Sequence, residues 1–175
     1  MGILYRPTDG VAADFIPFYW EGAYHLFYLK DYRDTEGHGE GTPWWHLVTR
    51  DFVRFEDWGE ALPRGATGSQ DVWVFTGSVV RGPDAFHIFY TGHNGHFYNT
   101  PKPVQAVLRA TSPDLRTWSK DPDLFFLAPT DRYEKDDWRD PFVFWNEEAG
   151  EYWMLLAARV KEGPDRLRGC TAVAA

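Results

Sequence analysis

The stretch GAYHLFYL, residues 22–29, decides the fold, because its pattern returns twice along the chain. It recurs as DAFHIFYT at residues 84–91 and as GEYWMLLA at residues 150–157. Tyr24, Phe86 and Tyr152 hold equivalent places in the three stretches and lie 62 and then 66 residues apart. A fixed period of this size is typical of proteins built from stacked units. The sequence therefore divides into repeats of about 62 residues.

A second pair of segments follows the same period. HLVTRDFVRFEDW, residues 46–58, and AVLRATSPDLRTWSK, residues 106–120, each place a Thr/Asp turn before a strand that ends in an aromatic residue, with Thr49 and Thr111 again 62 residues apart. Each repeat then reads as four short strands, of which the last ends in ALP or LAP. Helical periodicity is weak, and Gly or Pro interrupts the chain at short intervals. Four antiparallel strands per repeat predict the blade of a β-propeller.

The expected fold class is all-β, of the propeller type, with about three blades in this chain. We place blade 1 at about 14–63, blade 2 at about 72–129 and an incomplete blade 3 at about 139–175. Propellers usually close a ring of four to eight blades, and an open ring would expose sheet edges. The sequence therefore predicts either a fragment or a chain that a second chain completes.

Composition narrows the classes of partner and ligand. The net charge of −8 argues against nucleic acid and anionic membrane surfaces as partners. We expect no metal and no cofactor, because Cys170 is the only cysteine and lacks a zinc pattern, and because His93 and His96 have no further ligands nearby. We expect these two histidines at the rim of a substrate funnel instead. No signal peptide or membrane-length apolar run is visible, which predicts a soluble, cytoplasmic protein.

Two carboxylates are predicted to converge on the propeller axis. The innermost strands of the three repeats align as DFIPFYW (14–20), FTGSVVR (75–81) and DPFVFWN (140–146). Their first residues then meet at one end of the axis, which brings Asp14 and Asp140 close to the Thr76–Ser78 segment. A carboxylate pair in an aromatic funnel suits the hydrolysis of glycosides, where one carboxyl group protonates and another attacks. The alternative is that both aspartates only cap turns.

At these residues the sequence resembles glycoside hydrolase family 32, the β-fructosidases and relatives of invertase, whose catalytic domain is a five-bladed propeller. AADFIPFY occupies the place of the family's Asp-Pro-Asn motif, with Ala13 and Phe15 flanking Asp14. FTGS, residues 75–78, resembles the family's Phe-Ser-Gly-Ser segment, and WWH, residues 44–46, resembles its Trp-Gly-His segment. Arg139-Asp140-Pro141 matches its Arg-Asp-Pro motif.

The resemblance implies roles for these residues. Asp14 is the expected nucleophile, Asp140 the expected stabiliser of the transition state, and Arg139 its supporting residue. It also implies a retaining mechanism on β-fructofuranosides or related furanosides. The family's acid/base Glu lies in a Glu-Cys motif of the fourth blade, which this sequence does not contain. Because general acid-base catalysis contributes about 10²–10⁴-fold, the 175-residue chain alone is predicted to be nearly inactive.

Other residues are weaker candidates for carbohydrate binding. The full set of substrate-binding candidates is Arg139, Trp44, Trp45, Asp71, Phe75, Thr76 and Ser78. One of the two adjacent tryptophans should pack in the core, because neighbours in a strand point to opposite faces. For Asp71 a turn cap is an equal alternative.

Two other functions stay open from the residues alone. One is a carbohydrate-binding propeller without catalysis. The other is an inverting hydrolase of the related propeller family that cleaves arabinans and xylosides.

Overall fold

The computed structural model of the protein describes residues 5–175, which form eleven β-strands in three antiparallel sheets. Sheet 1 contains β1 (Val11–Trp20), β2 (Ala23–Asp31), β3 (Trp44–Thr49) and β4 (Glu56–Leu62). Sheet 2 contains β5 (Trp73–Arg81), β6 (Phe86–His93), β7 (Gln105–Ser112) and β8 (Ser119–Lys120). Sheet 3 contains β9 (Tyr133–Asn146), β10 (Glu151–Val160) and β11 (Gly169–Ala174). Strands pair in chain order within each sheet.

Little of the described chain is helical. A single α-helical turn, α1 (Thr35–His38), interrupts the Gly-rich loop between β2 and β3. Two 3-10 turns, Gly95–Phe97 and Asp165–Leu167, follow β6 and β10. None of the helices between residues 5 and 175 has the length and apolar character needed to cross a membrane.

The aromatic repeat forms the second strand of each sheet. Tyr24 pairs with Tyr19, Phe86 with Arg81, and Tyr152 with Trp145, so the three strands have matched registers against their inner strands. Alternation along β6 explains its composition. Ile88 and Tyr90 pack against sheet 1, whereas Phe89 packs against sheet 3.

The turn repeat is shifted by one residue from the prediction. The hydroxyl of Thr49 accepts hydrogen bonds from the backbone N–H groups of Asp51 and Phe52. In sheet 2 the hydroxyl that accepts from Asp114 N belongs to Ser112 and not to Thr111. Asp51 and Asp114 then cap equivalent turns through their carboxylates. The prediction of Thr111 as the equivalent of Thr49 was wrong, because the second repeat has one more residue before its turn.

The fourth strand of sheet 2 is also shorter than the repeat predicts. β8 has two residues, and a single bridge between Val107 and Phe126 continues its pairing with β7. Pro122 lies between these two contacts. Because proline has no N–H to donate to a ladder, it breaks the strand at this point.

Two apolar layers hold the three sheets together. The layer between sheets 1 and 2 includes Phe27, Trp44 and Ile88, none of which has exposed surface. The layer between sheets 2 and 3 includes Trp138 and Leu156, which are 2% and 1% exposed. Sheet 2 is therefore covered on both faces, and the inner strands β1, β5 and β9 are brought side by side.

Candidate active site

The first feature of the candidate site is an irregularity shared by the three inner strands. Each of them has a β-bulge at an equivalent position, where its pairing with the second strand shifts register. The extra residue is Asp14 in β1 and Thr76 in β5, and in β9 Asp140 and Pro141 interrupt the pairing. Bulges redirect side chains and occur often beside active sites. The site is therefore built into the repeat.

Both aspartates adopt backbone conformations that non-glycine residues seldom use. Asp14 has φ of 38° and Asp140 has φ of 57°. Aspartate reaches the left-handed region at lower cost than most residues, because its short polar side chain can hydrogen-bond locally. Such conformations persist only where the surrounding structure fixes them. The bulges turn both carboxyl groups out of the regular alternation of their strands.

Hydrogen bonds link the three bulges in a chain. The Thr76 hydroxyl donates to Oδ2 of Asp14 over 2.8 Å. The Thr76 carbonyl oxygen accepts a 3.0 Å hydrogen bond from the hydroxyl of Thr91. That hydroxyl in turn accepts from the backbone N–H of Asp140 over 2.7 Å. One buried threonine of β6 therefore fixes the bulges of β5 and β9 relative to each other.

Arg139 supports Asp140 from its own strand. Its Nη1 donates to Oδ1 of Asp137 over 2.7 Å, and its Nε lies 3.6 Å from Oδ2 of Asp140. A longer contact of 3.4 Å joins Nη1 to the side-chain oxygen of Gln105. Asp137 thus holds the guanidinium group beside the second carboxylate. Asp136 accepts from the backbone N–H of Val104 and ties β9 to sheet 2.

The environment of Asp140 disfavours its charge. Burial raises the pKa of the Asp140 carboxyl group, the positive charge of Arg139 opposes this, and the negative charge of Asp14 adds to it. The net pKa is above the ordinary value.

Phe75 and Ser78, predicted to contact substrate beside Thr76, have different environments. Phe75 is half-buried and stacks on His93, with ring centroids 4.6 Å apart. Ser78 is 4% exposed, and its hydroxyl accepts a hydrogen bond from Val143 N over 2.9 Å. Ser78 joins sheets 2 and 3 instead of facing the funnel, which corrects the prediction that it binds substrate.

Trp44, Trp45 and Asp71 make contacts within the sheets. Trp44 has no exposed surface, and its indole N–H donates to the Phe75 carbonyl oxygen, so it is the tryptophan of the pair that packs in the core, as predicted for one of the two. Trp45 lies under the Lys30 ammonium group, 3.7 Å from the ring centroid, and donates to Asp57 on the outer part of sheet 1. Asp71 is 7% exposed and pairs with Lys120 and the Tyr90 hydroxyl, which makes it a buried link within sheet 2.

His93, the last residue of β6, and His96, in the β6–β7 loop, both lie against Trp73 at the first end of β5. His96 Nε2 is 2.8 Å from a carboxylate oxygen of Glu40, which joins this loop to the loop after β2. His93 packs against Trp73 and Phe75, and burial lowers its pKa. From residue 5 onward, no three His, Cys, Asp or Glu side chains are grouped closely enough to hold a metal ion.

Sequence reasoning missed Thr91, Gln105 and Asp137. Thr91 has no exposed surface and is the last residue of the repeated stretch DAFHIFYT, where sheet 3 has Ala157. A hydroxyl at an otherwise apolar position was the available signal. Asp137 lies before residue 139, where the repeat begins blade 3, and the extension of β9 to Tyr133 is not visible in the repeat.

Comparison with known proteins covers nearly the whole chain. The model of the glycosyl hydrolases family 32 N-terminal domain matches residues 9–167. A levanbiose-producing levanase of Bacillus subtilis is 29% identical over 160 residues, covering 84% of this chain and 28% of that protein. An insoluble β-fructofuranosidase isoenzyme of Arabidopsis thaliana is 28% identical over 148 residues, covering 83% and 26%. The chain thus spans less than a third of these relatives.

Solved structures share the fold at lower identity. Sucrose-6-phosphate hydrolase from Lactobacillus gasseri superposes with a TM-score of 0.75 at 22% identity, covering 96% of this chain and 32% of that chain. Fructan 1-exohydrolase IIa (E201Q) from Cichorium intybus, in complex with 1-kestose, gives a TM-score of 0.71 at 20% identity, covering 97% and 30%. These similarities confirm the predicted all-β fold of the propeller type, and this chain forms part of such a propeller.

Proposed function

This chain belongs to glycosyl hydrolases family 32, and from that premise we propose that it carries the nucleophile side of a retaining β-fructosidase site. The proposed substrates are β-fructofuranosides or related furanosides. The observation that carries the proposal is the pair of matched bulges, which present Asp14 on β1 and Asp140 on β9, on either side of β5, and link them through Thr76 and Thr91.

In the proposed reaction Asp14 attacks the anomeric carbon of the fructosyl unit. The bond from that carbon to the leaving oxygen breaks, and a covalent glycosyl-enzyme forms, which water then hydrolyses. The Thr76 hydroxyl holds Oδ2 of Asp14, which orients the carboxylate and leaves Oδ1 for attack. Asp140 stabilises the positive charge that develops on the sugar ring through electrostatic attraction.

The proton donor is proposed to come from outside the 175 residues. Cys170 follows Gly169, so the sequence holds no Glu-Cys pair to match the family motif. The donor would then belong to a further segment or to a second chain that completes the ring. Turnover of natural fructosides by this chain alone should be about 10²–10⁴-fold lower than turnover by a protein that also contains the proton donor, since that is the usual contribution of acid-base catalysis.

An activated substrate tests the nucleophile without the proton donor. An aryl β-fructofuranoside with a good leaving group needs little protonation, and hydrolysis of the covalent intermediate should be slow because no base activates water. We expect intact-mass spectrometry to show one added hexosyl unit, and peptide mapping to place it on Asp14. The Asp14→Asn variant should form no adduct. Asp84→Asn, an exposed aspartate at the opposite end of β5, should behave as the parent.

Other outcomes would point to the alternatives. Binding of fructosides without any adduct would favour a carbohydrate-binding propeller, for which the unusual neighbours Ala13 and Phe15 already provide a reason. Release of the inverted anomer would favour direct attack by water. An adduct on a residue other than Asp14 would contradict the assignment of the nucleophile.

A further inference from the structure

A second concave site lies at the opposite end of the inner strands, between sheets 1 and 2. It is a cleft of about 440 Å³, within the range of small-molecule sites. Trp20, at the end of β1, forms part of its wall, six residues beyond Asp14. At about 3.3 Å per residue, the cleft is roughly 20 Å from the candidate active site along the strand.

The walls of the cleft combine aromatic rings with hydrogen-bonding groups. Trp20 and Trp58 are half-buried, and Phe86 packs edge-on against Trp20 with centroids 5.1 Å apart. Arg50 and Arg81 line the same cleft. Flat apolar surfaces beside planar, multidentate donors suit sugar rings, whose C–H faces stack and whose hydroxyl groups accept hydrogen bonds.

The two arginines retain donors for a ligand. A guanidinium group has five N–H donors. Within residues 5–175, Arg50 uses one of them in a 3.5 Å contact with Glu56, and its side chain is 65% exposed. Arg81 donates to the carbonyl oxygen of Gly82, and its guanidinium carbon lies 4.9 Å from the Phe86 ring centroid.

The charges around the cleft balance. Glu21 and Asp114 line it together with the two arginines. His25 also lines it, and its Nδ1 lies 3.0 Å from His46 Nε2. Burial lowers the pKa of His25 and brings that of His46 to about 3, so both rings are neutral near pH 7. A cleft without excess charge favours an uncharged ligand over a phosphate or a carboxylate.

The corresponding crevice between sheets 2 and 3 differs in these features. It measures about 210 Å³, and its lining is Val80, Gly82, Pro83, His87, Phe89, Arg109, Val143 and Tyr152. The repeat places Gly82 where sheet 1 has Trp20, and Pro113 where it has Arg50. The second crevice has Arg109 and Tyr152 in its wall, but the indole of Trp20 and the guanidinium group of Arg50 have no counterpart at the equivalent positions.

We propose that this cleft is a second carbohydrate-binding site, which holds a neutral oligosaccharide between Trp20, Trp58 and the guanidinium groups of Arg50 and Arg81. The site binds without cleaving, and it does not depend on the reaction proposed for Asp14. On a polymeric substrate it would retain the chain at a distance from the funnel.

Titration of the ¹⁵N-labelled protein with levan oligosaccharides tests the proposal, because each tryptophan indole N–H gives its own NMR signal. We expect the Trp20 and Trp58 signals to shift along one saturation curve, in the parent and in Asp14→Asn alike. Arg50→Ala should raise the Kd of that curve about tenfold, as the loss of a central charged contact does. Arg54→Ala is the matched control, since its side chain is 92% exposed and outside the cleft, and it should leave the Kd unchanged.

Trp58→Ala provides a second variant and should also weaken binding about tenfold. Shifts confined to Trp73, beside Phe75 at the other end of β5, would mean that sugar binds only in the funnel and would overturn the proposal. An unchanged Kd in Arg50→Ala would do the same. Tighter binding of sulfated than of neutral oligosaccharides would overturn the neutral ligand class.

Discussion

At the scale of single residues, Asp140 shows the conflict between stability and function. Its carboxyl group has a raised pKa in the folded protein, so the native state binds this proton more tightly than the unfolded state does. Stability from this group is therefore complete below the ordinary carboxyl pKa and is lost as the pH rises through the folded value. Near pH 7 the ionised carboxylate destabilises the fold while it remains available to substrate.

Replacement of Asp140 by asparagine should thus stabilise the protein at neutral pH. Asparagine tolerates the positive φ of 57° at this position, and it removes a charge that is partly shielded from solvent. We expect the Tm at pH 7 to rise by about 1–4 °C. The difference should vanish at a pH below the ordinary carboxyl value, where aspartate is protonated in both states. Thermal unfolding at both pH values measures it, and an unchanged or lower Tm at pH 7 would contradict the argument.

At the scale of elements, Thr91 is the side chain that couples two strands. Its hydroxyl is buried and bonds both the Thr76 carbonyl oxygen and the Asp140 N–H. Thr91→Val keeps the shape but leaves two backbone groups without a partner, which should cost about 1–3 kcal/mol of unfolding free energy. Thr91→Ser keeps the hydroxyl and should retain most of the free energy of unfolding. Urea unfolding compares the two variants, and a loss in Thr91→Ser as large as that in Thr91→Val would contradict the dominant role of the hydrogen bonds.

Local patterns predicted the strands better than the site. The aromatic stretches located β2, β6 and β10, because alternation of apolar residues is a property of neighbouring positions. Asp14 and Asp140 were found through the repeat, which aligns distant residues. The sequence could not show which of Trp44 and Trp45 packs in the core or that Ser78 is buried, since the face that each presents depends on how the sheets pack. The link through Thr91 joins three strands and leaves no local pattern.

At the scale of the whole molecule, the three sheets form a row in which the middle sheet is covered by its neighbours on both faces and, in the part of the chain that the structure describes, the outer sheets are not. Sheet 2 has an apolar layer on each face, and Ser78 bonds it to β9. Within the described residues β11 pairs with β10 alone. Stacked units interact mainly with their neighbours. We therefore expect each sheet to open locally with its own free energy, in addition to the unfolding of the whole chain. Amides of β6 should therefore exchange with solvent most slowly and those of β11 most rapidly.

A pair of cavity variants tests this view of the row. Leu156→Ala opens the layer between sheets 2 and 3, and Leu47→Ala opens the cluster that Leu47 forms with Leu26 and Tyr28 in sheet 1. Each truncation should cost about 2–5 kcal/mol locally. Hydrogen exchange followed by mass spectrometry should show lost protection mainly in β9–β11 for the first variant and in β1–β4 for the second. Equal loss in all three sheets for both variants would mean that the chain opens only as a single cooperative unit, and the layered account would be wrong.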